Sequence, residues 1–135
     1  MTSHPGTDDG SHAIAAFWDY YNGQRFEFRV TWALLEATPI WPAQEPHPPL
    51  AARRAIHIAT NYLAQLVDEA ERWRLEEVCL EPLGRTVSGF WVYAVRFSGF
   101  HPPGVSDGAV PTMRVIVLMN GETIEPVVTE QRSSR

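Results

Sequence analysis

Apolar and polar residues alternate early in the chain, where Phe26, Phe28, Val30, Trp32 and Leu34 are interleaved with Glu27, Arg29, Thr31 and Ala33. A period of two puts each set on its own face, so residues 26–34 are predicted to form a half-buried strand. Upstream, Ile14, Phe17, Trp18 and Tyr21 fall at i, i+3, i+4 and i+7, with Ser11 as an N-cap and Gly23 as a stop. That spacing reads as a short amphipathic N-terminal helix. The same residues admit a second reading, a strand over 13–21 turned back onto its successor by Asn22-Gly23 in a type I′ turn. Residues 1–10 are too polar to offset the entropy of ordering them and are expected to be a loose tail; residues 131–135 are expected to be a flexible end.

Residues 38–49 hold five prolines in twelve positions. Such a stretch is extended and poor in N–H donors, so it has to cross the surface rather than enter a sheet. Pro48 and Pro49 suit the opening of a helix, where a missing N–H costs nothing. Over residues 50–73 a stripe of Ile56, Ala59, Leu63, Leu66, Ala70 and Trp73 recurs at three- and four-residue steps. Arg53, Arg54, Asn61, Gln65, Asp68 and Glu69 fall largely off it, as in a helix of about six turns with one face buried. Three extended segments follow, 75–83, 90–97 and 113–120, and an Asn120-Gly121 turn leads into a short strand over 123–128. The order strand, helix, then several strands points to an α+β class: one long helix packed on a curved antiparallel sheet of four to five strands, in a single domain over 11–130.

The length of 135 residues and the 44% apolar content agree with one core that needs no disulfide or structural metal. The chain has one cysteine and no lysine, and its formal charge is −5. Arginine is therefore its only fixed cation. This composition argues against a nucleic-acid partner and against Schiff-base or phosphate-loop lysine chemistry. Without an apolar run of membrane-spanning length or an N-terminal signal core, the expectation is a cytoplasmic protein with no membrane association.

From Pro48 onward the runs PPLAARRAIHIATNYL, LEEVCLEPL, FWVYAVRF and MRVIVLMNGETIEP resemble a PepSY-type unit. That unit has a helix opening on an AxxIA pattern, a strand of the form WxYxVxF, and a closing strand that ends in a glycine turn. The resemblance covers residues 48–128, and the shape is similar to the broader cystatin-like group. It implies a small module that binds rather than catalyses, of a kind found beside peptidases or envelope proteins. This chain departs from the pattern twice. The family is usually exported, whereas these N-terminal residues carry no signal core, and there is no Gln-x-Val-x-Gly segment such as cystatins insert into a protease cleft. An inhibitor-like role is therefore implied by shape alone.

Candidate chemistry is sparse. His4, His12, His47, His57 and His101 show no metal-ligand spacing with one another or with Cys79, so neither a metal nor a cofactor is expected. Cys79 lies in a strand beside Val78 and Leu80, the ordinary setting of a small buried thiol. Ser88 and Ser98 flank a strand and lack a nucleophile-elbow pattern. Asp68, Glu69, Glu71, Glu76, Glu77 and Glu81 read as a solvated charged face. The five tryptophans carry the best functional hint. Trp41 stands in the proline-rich crossover with no periodic reason to be buried; a rigid exposed aromatic suits a binding hot spot, and a lid over an open end of the core is the equal alternative. The expected partner-binding residues are accordingly Trp41 and His47 in that crossover, with His101 and Asp107 in the long 98–112 link. Partnership through a free sheet edge, with another protein or a second copy, is a close variant. The alternative is a small hydrophobic ligand held between sheet and helix by Trp32, Trp91 and Tyr93. A small enzyme using His101 is the least favoured reading.

Overall fold

The structure is a computed structural model that describes residues 12–83, 89–101, 103–104 and 108–131. The predicted tail over 1–10, the candidate Asp107 and Ser88 lie outside the described residues. In chain order the elements are β1 (Ala13–Tyr21), β2 (Gln24–Thr31), α1 (Trp32–Glu36), α2 (Ala52–Leu63), β3 (Arg74–Pro82), β4 (Trp91–Ser98), β5 (Thr112–Leu118) and β6 (Val127–Glu130). A turn of 3-10 helix, Ala70–Arg72, precedes β3.

These strands do not make one sheet of four to five strands under a long helix. They form two three-stranded antiparallel sheets, β1-β2-β6 and β3-β4-β5. The expected N-terminal helix is β1, which pairs with β2 from Tyr21↔Gln24 to Ala13↔Thr31. Asn22 and Gly23 both adopt positive φ, 55° and 75°, the backbone a type I′ hairpin turn needs. Phe17, Asp19 and Tyr21 share a face with Phe28, Phe26 and Gln24, while Trp18 and Tyr20 point outward and are exposed. Aromatic residues on both faces of one strand gave the helix-like spacing.

Three further boundaries shift. The strand predicted to Leu34 ends at Thr31, whose hydroxyl accepts the Leu34 N–H at 3.3 Å and starts α1. The long helix stops at Leu63 instead of residue 73. Tyr21 Oη accepts the Asp68 N–H at 3.1 Å, and Glu69 sits in the left-handed region at φ 53°, so Leu66, Val67 and Trp73 reach the core through turns. The last hairpin is curtailed too: Thr123 bridges Val117 alone, Pro126 offers no N–H to a ladder, and the chain leaves to pair β6 with β2. The segments read as 75–83, 90–97 and 113–120 match β3, β4 and β5 to within a residue or two.

The core lies where α2 packs on β4 and β5 and where β1 runs beside β5. Ala55, Ala59 and Leu63 form the buried stripe of α2, and the two alanines let the helix approach the sheet closely. Phe26, Phe28 and Val30 bring the first sheet into the same cluster as Tyr93, Val95, Met113 and Val115. One polar side chain among the described residues is buried with them, Asp19, which accepts the Arg114 N–H at 2.9 Å and so ties β1 to β5. Among the described residues, no helix is long and apolar enough to cross a membrane.

Candidate functional site

The proline-rich crossover is pinned at both ends. It leaves α1 through Thr38, whose N–H and hydroxyl both reach the Leu35 carbonyl at 2.9 Å. Before α2 begins, the Leu50 carbonyl accepts the hydroxyl of buried Tyr93. Between these points Trp41 donates its N–H to the Gly89 carbonyl at 2.8 Å. Gly89 has φ +86°, and a Cβ there would lie 3.4 Å from Ile40 Cβ, so both its backbone and the close approach favour glycine. A turn then returns the chain: Glu45 N–H bonds to the Pro42 carbonyl at 3.0 Å, and the Glu45 carbonyl accepts Trp41 Nε1–H at 2.9 Å. The indole is thus held at its own polar edge, and its ring meets Trp91 at a centroid distance of 5.3 Å and 62°. Trp41, Pro42, Ala43, Glu45, Gly89 and Trp91 line a groove of about 300 Å³. Beside it, Trp32 stands edge-on to Phe90 at 5.7 Å.

The residues expected to bind a partner do not converge. Trp41 and His47 share the crossover, with His47 exposed. His101 follows the other end of β4, and the seven steps from Trp91 to Ser98 span about 23 Å at strand rise. It is half-buried next to Phe100, whose ring carries the Arg72 guanidinium at 3.7 Å. Of the residues expected to line a ligand pocket, Trp32 and Trp91 stand at the aromatic end of the sheet, whereas Tyr93 is core. Glu45, Gly89 and Phe90 were not singled out from the sequence. The Trp41–Gly89 bond joins segments 48 positions apart, and no local pattern announces it.

A second cleft, of about 410 Å³, opens at the His101 end between Tyr21, Asp68, Glu69, Trp73, Phe100 and Pro111. Its floor is Trp73, edge-on to Tyr21 at 5.5 Å and bonded through Nε1 to the Asp68 carbonyl at 3.2 Å.

Two titratable groups outside these clefts are shifted by their surroundings. Cys79 donates to Glu77 Oε2 at 3.3 Å; this bond, with burial and the charges of Glu77 and Glu81, pushes the thiol pKa up, away from a reactive thiolate. Burial raises the Asp19 pKa above the ordinary carboxyl value, against the opposing bond from the Arg114 N–H and the charges of Arg114 and Arg96. Among the described residues no three metal-ligating side chains come together.

No family model matches the chain, and no curated protein or solved structure matches it.

Proposed function

We propose that the protein is a non-catalytic binding module that engages a protein partner through the aromatic groove at the Trp91 end of β4. The observation that carries this reading is the pair of half-buried indoles, Trp41 against Trp91, on a crossover stiffened by proline and anchored to Gly89. Large aromatics with little entropy left to lose are the groups that dominate interface energetics, and a preorganised loop lowers the cost of docking. The weak point of an enzyme reading is that His101 stands a strand's length from the groove, and that the bond to Glu77 pushes the Cys79 thiol pKa up rather than down. A small-ligand reading has one observation in its favour, the cleft floored by Trp73.

The test is photo-crosslinking in lysate of the source organism, with p-benzoylphenylalanine at exposed Ala43 and, as a control, at Thr60 on α2. A stoichiometric protein adduct is expected at position 43 only, and Trp41→Ala is expected to abolish it. That variant loses one ring contact and one hydrogen bond, about 2 kcal/mol, and still folds. Equal adducts at both positions, or an adduct that survives without Trp41, refutes the reading.

A further inference from the structure

The groove combines an aromatic wall with, among the described residues, a single ionisable one. Trp41, Pro42, Ala43, Gly89 and Trp91 supply its apolar lining, Glu45 is the acidic residue at it, and Glu45 makes no ion pair among the described residues. Resting on the binding-module reading above, we infer that the side chain this groove receives is an arginine of the partner protein.

The chain shows the completed arrangement elsewhere on its own surface. The Arg72 guanidinium carbon lies 3.7 Å from the Phe100 centroid while its Nη1 is 3.1 Å from Glu69 Oε1, so one cation serves a ring face and a carboxylate together. At the groove the rings and an acidic residue are present, and among the described residues no cation is. An apolar side chain would strip water from Glu45 without replacing its hydrogen bonds, which is unfavourable. A cation pairs with it and gains the electron-rich indole face as well. Arginine fits better than lysine because its planar guanidinium stacks on a ring, offers a fork of donors to a carboxylate and gives up its water more readily. A groove of about 300 Å³ has room for a guanidinium and part of its stem. The acidic chain, at formal charge −5, favours the approach of a basic segment. Trp41 is already fixed by Nε1 and by its backbone N–H, so little ordering remains to be done on binding.

The experiment uses the full chain and two small probes, N-acetyl-arginine N-methylamide and its neutral isostere N-acetyl-citrulline N-methylamide. Binding is read from the NMR shifts of the Trp41 and Trp91 indole N–H groups. The arginine probe is expected to shift both indoles, with the citrulline probe about tenfold weaker. Glu45→Gln is expected to remove most of that difference. The variant keeps the Glu45 backbone carbonyl, so an unchanged Trp41 indole resonance in its free form shows that the groove is intact. Equal binding of the two probes, arginine binding indifferent to Glu45→Gln, or no shift with either probe overturns the inference. A partner that crosslinks at position 43 while the probes show no arginine preference refutes this inference alone. Absence of the position-43 crosslink in the chain that keeps Trp41 refutes the module reading.

Discussion

Gly99→Ala gives a sharp test of the packing at the His101 end. The Gly99 N–H bonds to the Pro111 carbonyl at 2.8 Å, just past the end of β4. A Cβ at this position would lie 2.8 Å from Trp73 Cε2 and Cζ2 and 3.0 Å from Cη2. Carbon atoms in good contact are about 3.5–4.0 Å apart, so the overlap is about 0.7 Å. The ring has little freedom to retreat, because Trp73 is 8% exposed, its Nε1 is bonded to the Asp68 carbonyl and it packs edge-to-face with Tyr21. Replacing glycine by alanine where the backbone tolerates it ordinarily stabilises a protein by about 0.4–1 kcal/mol through the unfolded chain. Overpacking of a fixed core ring costs about 1–3 kcal/mol. The second effect wins, leaving a net loss of about 1–2 kcal/mol and a Tm lower by about 3–8 °C for a domain of this size. Urea unfolding and calorimetry measure it. In the Trp73→Phe background, which removes the larger ring, the cost of Gly99→Ala is expected to shrink, and the double-mutant cycle reports the coupling directly. Unchanged or increased stability in the single variant would show that Trp73 is not held as described.

Two further expectations follow from the buried polar groups. For Asp19 the folded pKa is raised above 3.8, so its favourable contribution is fully present below that value and is lost as pH rises through the folded pKa. The unfolding free energy of the native chain relative to Asp19→Asn is therefore expected to improve as pH is lowered from about 7 toward 4, and a pH-independent or opposite difference refutes the assignment. Tyr93→Phe removes the hydroxyl that donates to the Leu50 carbonyl at the entrance to α2 and is expected to cost about 1 kcal/mol in urea unfolding; no loss would mean that bond does not anchor the crossover.

The candidate site was half legible. Trp41 stood out because proline on both sides left it without a periodic reason for burial, and the structure places it in the groove. Loop length alone points to His101, yet its loop belongs to the other end of β4. Glu45 is unremarkable in sequence and gains interest only because its carbonyl locks the Trp41 indole and the residue lines the groove.

The same division runs through the fold. Local chemistry was enough to specify β3, β4 and β5, the hairpin potential of Asn22-Gly23, the crossover and the first three turns of α2, since alternation, turn residues and proline act over a few neighbours. Tertiary contacts decided the rest. The stripe from Ile56 to Trp73 is continuous in sequence, but Tyr21 takes the Asp68 N–H and the chain turns at Glu69, so the second half of that stripe, Leu66, Ala70 and Trp73, packs against the core outside the α-helix. In β1, Phe17 and Tyr21 face inward while Trp18 and Tyr20 face water, which hides the strand period. Whether β6 continues the β5 hairpin or crosses to β2 depends on which edge offers a ladder after Pro126 interrupts the first. A pattern of hydrophobicity records which side chains are to be buried; which strand, sheet or helix buries them is set by contacts between residues far apart in the chain.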